Sequence, residues 1–394
     1  MDTHDAVGQR ASLAQIAMLF LKLGTIGFGG PAAHIALMED EVVHRRRWLT
    51  QAEFIDYVGA MNLIPGPNST ELAIAIGRDR AGWPGLIVAG VAFIAPAAVI
   101  VSLIAWAYVE YGRLPAAVAL LTGVKPVIIA IVAHALWRLA RTAVKNAWLL
   151  ALAVGAVGAI AAGANELVVL LGAGLLAAAF APRGSPASAA HASEKQGPGG
   201  STETSGRTRH AVVMPALGAA ALFPVGATLW QLFAIFLKIG SVLFGSGYVL
   251  LAFLRADFVE RLGWLTEHQL LDAVVVGQVT PGPVFTTATF IGYVVAGIPG
   301  AIVATAGIFL PAFLLVAASG PLVPRIRRSL VAGAALDGVN VASVALMLVV
   351  TWQLGRSVFV DLVSILTAVI ALVVIATRRV GPTWVVLAAA LIGI

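Results

Sequence analysis

The chain of 394 residues contains no cysteine. Disulfide frameworks, thiol chemistry and Cys-ligated metals are therefore excluded. Charge is scarce too. Asp, Glu, Lys and Arg supply 11% of the residues, against about 25% in an ordinary soluble domain. That is too little to cover a large soluble core with a polar surface. Also missing are a Gly-x-x-x-x-Gly-Lys phosphate loop, a His-Glu-x-x-His metal helix and a nucleophile elbow. No enzyme activity, catalytic residue, metal site or cofactor is expected. A pump driven by ATP would need a soluble nucleotide domain, and the one long polar stretch, 182–210, is too short to be one.

What the chain has in quantity is apolar sequence, 60% of all residues. Many windows are long enough to cross a hydrocarbon core of about 30 Å. The formal net charge of +6 is spread over short loops between apolar runs, where it sets topology rather than binding nucleic acid. Residues 1–10 are polar. The first apolar run leads to Glu39-Asp40-Glu41, not to a small-residue cleavage site, so it does not read as a secretory signal.

An internal repeat organises the rest. Phe20-Leu21-Lys22-Leu23-Gly24-Thr25-Ile26-Gly27-Phe28-Gly29-Gly30-Pro31 returns 216 positions later as Phe236-Leu237-Lys238-Ile239-Gly240-Ser241-Val242-Leu243-Phe244-Gly245-Ser246-Gly247. Trp48-Leu49-Thr50 matches Trp264-Leu265-Thr266, and Pro65-Gly66-Pro67 matches Pro281-Gly282-Pro283, at the same offset. Beyond a one-residue gap, Pro84-Gly85 matches Pro299-Gly300 and Gly123-Val124 matches Gly338-Val339. The unit is far too long for a solenoid repeat and reads as two homologous halves.

The expected fold is an all-α polytopic membrane protein. Each half opens with two broken, re-entrant helical hairpins, 11–43 and 51–80 in the first. About four spanning helices follow, roughly 84–109, 114–137, 147–163 and 166–181. The expected units are a first half, 1–181, a flexible cytoplasmic linker, 182–210, a linking span, 211–229, and a second half, 230–394. The linker is rich in Gly, Pro and Ser and has nothing to bury. A hairpin that enters and leaves on one side, followed by an even number of crossings, returns each half to its starting side. The extra span then inverts the second half. With the N-terminus inside, most of the 25 Lys and Arg fall in inner loops, and only Arg113, Arg255, Arg261 and Arg356 fall outside. The positive-inside rule favours this arrangement, which puts the C-terminus outside.

Three lysines, Lys22, Lys238 and Lys125, fall inside apolar segments. Snorkelling to the interface is the plain alternative for the first two. Their equivalent positions, just before helix breaks, point instead to a shared central cavity. A helix that starts inside the membrane presents unpaired N–H groups and about half a positive charge, and such ends bind anions. Candidate ends follow Gly29-Gly30-Pro31, Pro65-Gly66-Pro67, Gly245-Ser246-Gly247 and Pro281-Gly282-Pro283. Asn68 and Ser69 could donate to an oxyanion beside the second, and Asn62 and Gln278 precede the two Pro-Gly-Pro turns at equivalent positions. Glu71 is the candidate for proton coupling. His34 is expected to pack rather than to relay protons. This set suits a small, multiply charged anion, since a cation site would need converging carboxylates.

Phe28-Gly29-Gly30-Pro31 after a lysine-bearing segment, with Pro65-Gly66-Pro67 downstream, resembles the chromate ion transporter family. The recurrence of both blocks resembles its long-chain, two-domain members. The second copy departs from the motif, with Phe244-Gly245-Ser246-Gly247 in place of Phe-Gly-Gly-Pro. The resemblance implies a bacterial inner-membrane protein that exports chromate and confers resistance. Chromate and sulfate are both tetrahedral dianions, and the residues alone do not separate them. Alternatives are a sulfate or related oxyanion transporter, a passive anion channel, and, last, a membrane scaffold. The partners expected are the dianion and the lipid bilayer. Nucleic acid is not among them, and a homodimer is left open.

Overall fold

A computed structural model describes residues 11–28, 30–112, 115–180, 226–243, 249–377 and 382–392. Gly29, Gly245, Ser246, Gly247, the linker 182–210 and most of the expected linking span lie outside the described residues. The described residues are helical or in turns and loops.

The first half begins with α1 (Leu13–Ile26), started by a capping box between Ser12 and Gln15. The chain breaks and α2 (Pro31–Glu39) begins, with Pro31 in its first turn and Gly30 at φ +79°. A π-helical turn, Asp40–Arg45, follows α2. Thr50 and Glu53 form the capping box of α3 (Gln51–Met61). The Pro65-Gly66-Pro67 turn separates α3 from α4 (Asn68–Tyr111). Then come α5 (Pro115–Ala143), α6 (Ala147–Ala161) and α7 (Glu166–Ala179).

The second half repeats the order. It comprises α8 (Gly226–Val242), α9 (Leu250–Leu254) with its π turn Arg255–Arg261, α10 (Glu267–Val279), α11 (Thr287–Arg328), α12 (Leu330–Val358), α13 (Leu362–Ala376) and α14 (Pro382–Ile392). The capping box of α10, Thr266 with Gln269, is the counterpart of that of α3. Helix α8 includes residue 230, the expected start of the second half.

Helix α4 is two arms joined by a reversal. Ala81 and Gly82 leave helical geometry, with Gly82 at φ +63°. A Cβ on Gly85 would lie 2.1 Å from the Gly77 carbonyl oxygen, so the arms close backbone to backbone and only glycine fits. Ala296-Gly297 and the Gly292, Gly300 contact repeat this turn in α11. The arm 68–80 and α3 each reach about 16–20 Å at ~1.5 Å per residue, well short of a core of about 30 Å.

Among the described residues, four helical segments are long and apolar enough to cross a membrane: Asn68–Tyr111, Gly123–Ala143, Val284–Ser319 and Val331–Val358. That is two in each half, where the sequence reading expected about four. Helices α6 and α7, of 15 and 14 residues, and α13 and α14 are shorter than a full span. They leave the parity of crossings unchanged when they act in pairs. Their outward faces, for example Leu362, Val363, Leu366 and Ile370 on α13, expose large apolar side chains, as expected where lipid is the solvent. Exposed Trp83 and Trp137 lie under the guanidinium groups of Arg78 and Arg141, as at a membrane interface.

The halves interlock reciprocally. Helix α5 packs on α13 and α14, while its counterpart α12 packs on α6 and α7. Helices α4 and α11 pack on each other, and each also holds the lysine-bearing helix of its own half, α1 or α8. Such exchange of equivalent contacts is that of an approximate two-fold relation. Gly24 and Gly240 allow the approach within each half. A Cβ there would lie 2.5 Å from the Phe93 carbonyl oxygen and 2.3 Å from that of Ile308, respectively.

Candidate functional site

The Pro-Gly-Pro turns carry the site. In the first half, Asn62 caps the end of α3 and Asn68 starts α4. Pro67 holds the N-cap position and no side chain caps this end. Asn68 Nδ2 donates to Asn62 Oδ1 across the turn. A cavity of about 260 Å³ opens here, room for several waters at ~30 Å³ each. Its polar lining is Asn62, Asn68, Thr142, Lys145, Asp337, Asn340 and Ser343. Lys145 Nζ pairs with Asp337 Oδ1 at 2.7 Å. The buried Ser343 hydroxyl has no hydrogen-bond partner among the described residues. The cavity thus joins one helix N-terminus, three carboxamides, a free hydroxyl and a lysine. Each can donate to an oxyanion.

Of the residues expected from sequence, the structure brings Asn62 and Asn68 to this cavity. Lys145, Thr142, Asp337, Asn340 and Ser343 were not singled out as its lining. One signal was available: Asp337, Asn340 and Ser343 recur every three residues, a polar stripe along an otherwise apolar helix.

The other lysines do not converge on this cavity; each has its own carboxylate. Lys22 Nζ lies 2.6 Å from Glu41 Oε1, and Arg45 and Arg46 hold the same carboxylate at 3.3 and 3.4 Å. Lys238 Nζ lies 2.5 Å from Asp257 Oδ2, and Arg261 is 3.0 Å from Oδ1. The two clusters occupy equivalent positions. The π turns after α2 and α9 carry Glu41 and Asp257 back towards the lysines. Glu41, paired with Lys22, is buried.

Lys125 is buried and lies 3.3 Å from Asp272 Oδ1 and 3.3 Å from His268 Nδ1. The Tyr108 hydroxyl donates to Asp272 Oδ2 at 2.9 Å.

Around the first break, Gly30 and Pro31 start α2 away from the cavity lining. Ser69 faces His34: Ser69 Oγ is 3.3 Å from His34 Nδ1, and His34 Nε2 is 2.8 Å from the Gly27 carbonyl. His34 is a packing residue with both ring nitrogens engaged. Glu71 is fully buried, and neither carboxyl oxygen has a partner among the described residues. It lies against Gly66, whose φ is +138° and where a Cβ would be 2.3 Å from Glu71 Oε1.

The second turn is closed. Gln278, Val284 and Thr287, beside the Pro281-Gly282-Pro283 turn, line a void of only about 10 Å³. Gly282 N–H donates to the Gly27 carbonyl at 2.8 Å. Among the described residues, no group of three or more His, Asp or Glu could hold a metal ion.

The family model for chromate transporters matches the chain twice, over residues 14–178 and 230–394. A chromate transport protein of Cupriavidus metallidurans is 33% identical over 391 residues, covering 97% of this chain and 93% of the relative. A probable chromate transport protein of Synechococcus elongatus is 33% identical over 368 residues, covering 92% and 89%. One from Pseudomonas aeruginosa is 32% identical over 317 residues, covering 79% and 73%. No solved structure matches the chain. With its apolar helices, the repeated match and these relatives, this multi-pass membrane protein belongs to the chromate transporter family.

Proposed function

We propose that the chain is a secondary transporter that exports chromate, or a closely similar tetrahedral dianion, across the bacterial inner membrane and so confers chromate resistance. The observation that carries this reading is the cavity at the N-terminus of α4. There Asn62, Asn68, Ser343 and Lys145 offer donors and charge to one small anion. Asp337, already paired with Lys145, keeps the empty site near neutral, and a dianion entering would compete with it. Outside this cavity, Lys22 and Lys238, held by Glu41 and Asp257, would offer the anion charge elsewhere along its path by the same competition. The breaks at Gly29-Gly30-Pro31 and Gly245-Ser246-Gly247 would supply N–H donors along that path.

Export is also the direction favoured by the membrane potential. Moving one charge through 100 mV is worth about 2.3 kcal/mol, so a dianion leaving a negative interior gains about twice that. Glu71, buried beside the Pro65-Gly66-Pro67 turn, is the proposed proton-coupling group. The halves would work by alternating access as inverted repeats, with the N-terminus cytoplasmic and the C-terminus outside. Reciprocal packing of the halves supports a two-fold relation, and the distribution of Lys and Arg supports the orientation.

The test is uptake of labelled chromate into inverted vesicles, with unlabelled sulfate as competitor and a proton gradient switched on or off. Saturable uptake that accumulates chromate against its gradient is expected. Flux that only dissipates a gradient would mean a channel, and no flux of either anion would overturn the reading.

A further inference from the structure

The two halves differ most where they should match. Asn340 lines the open cavity, and its counterpart in the first half is Lys125. Around Lys125 part of the polar lining is gone. Asn68, Ser343 and Lys145 are answered by Val284, Ile128 and Val360, while Asn62, Thr142 and Asp337 keep polar counterparts in Gln278, Ser357 and Thr122. The void beside Gln278 and Val284 holds about 10 Å³ against about 260 Å³ on the open side. Lys125 lines neither space and is buried with a buried carboxylate, Asp272, 3.3 Å away. Asp272 is held in turn by the Tyr108 hydroxyl at 2.9 Å.

The fold itself does not require a buried cation here. The equivalent place in the other half has Asn340 for Lys125 and Ala52 for His268. A buried ion pair is a poor source of stability, because desolvation offsets most of the attraction. Ionisable groups inside a membrane protein mark the path of a charged substrate. Lys125 is also the most buried of the three intramembrane lysines, so an anion that reaches it meets a poorly hydrated charge.

We infer that Lys125 is the exit-side contact for the transported dianion, and that Asp272 is the internal carboxylate that takes the anion's place beside it when the exit is shut. This rests on the transporter reading above. The anion moves from the open cavity towards Lys125 and displaces Asp272. The return of Asp272 to Lys125 expels the anion and closes the side again. Lys125 is thus a substrate contact, and Asp272 acts through it. Tyr108 positions Asp272.

The test is chromate flux in proteoliposomes of the full chain, with KM and turnover measured separately. Asp272→Asn removes the internal competitor. KM and turnover should both fall, each by about tenfold, as when a bound state becomes too favourable to leave. Lys125→Asn should abolish flux while chromate binding to detergent-solubilised protein stays within about twofold. The charge swap K125D/D272K preserves the pair but not a cation at position 125, so it should remain inactive. The double variant Lys125→Asn/Asp272→Asn, which strands no charge, controls for folding by its elution as a monodisperse peak.

Wild-type flux in the charge swap, or unchanged KM and turnover in Asp272→Asn, would overturn this inference and leave the transporter reading standing. Absence of dianion flux in the unmodified chain would instead remove the transporter reading, and this inference with it.

Discussion

The backbone N–H of Gly66 donates to the carbonyl of Leu243, 2.8 Å away in the other half of the chain, and Gly282 does the same to Gly27. Each Pro-Gly-Pro turn therefore closes the end of the opposite half's lysine-bearing helix. The two bonds relate equivalent residues and tie both breaks into one centre. Anything that moves one turn pulls on a helix of the other half.

Gly66 should tolerate no side chain. It sits at φ +138°, and a Cβ would meet Glu71 Oε1 at 2.3 Å. Backbone strain of this kind costs about 1–3 kcal/mol, and the clash adds to it. Gly66→Ala should lower the unfolding temperature and the yield of folded protein. Gly163 also sits at positive φ, +86°, but has open space around it. Gly163→Ala should show the strain alone, and a fluorescence-detected thermal melt of both compares the two.

Gly24 and Gly240 should behave alike, since a Cβ at either meets a carbonyl oxygen across the helix contact. Gly24→Val should part α1 from α4 and destabilise by more than Gly24→Ala. Equal stability of the two variants in the same melt would count against a tight contact.

The open cavity should set anion affinity. Hydrogen bonds to a charged group contribute about 1.5–3 kcal/mol, or roughly ten- to hundredfold. Lys145→Ala should weaken chromate binding by that range and Asn68→Ala by about tenfold. Gln278→Ala, at the shut turn, should change binding by less than threefold. Equilibrium binding to purified protein distinguishes them, and equal losses at Asn68 and Gln278 would remove the asymmetry argued above.

Lys22→Ala together with Lys238→Ala should abolish chromate flux while the protein still reaches the membrane, because Arg45, Arg46 and Arg261 remain beside the two carboxylates. Intact flux with reduced expression would assign the lysines to packing alone.

Glu71→Gln keeps the shape of the side chain and removes its charge. The variant should fold and bind chromate as before, while flux loses its response to an imposed proton gradient. A retained response in vesicles would exclude Glu71 as the coupling group.

Much of this was legible in the residues. Repeat offsets gave the equivalence of Lys22 with Lys238 and of the two Pro-Gly-Pro turns, since glycine and proline report backbone geometry directly. The capping boxes at Thr50 and Thr266 were local signals of the same kind. The turn at Ala81-Gly82 was legible too, from Arg78-Asp79-Arg80 and Pro84-Gly85 around it, and the expected boundary between 80 and 84 falls there. Less legible was its counterpart at Ala296-Gly297, in a stretch without charge. Hydropathy does not register a change of direction.

Composition alone determined a membrane protein, because 11% charge cannot clothe a soluble surface. The repeat alone determined two halves with matched helix breaks. Only the tertiary structure decided which charges meet. Lys22 goes to Glu41, Lys125 to Asp272, and Lys145 to Asp337 beside the start of α4. Two of these three pairs join residues more than a hundred positions apart in sequence. Helices that interlock across two halves bring such residues together, and no local periodicity records that crossing.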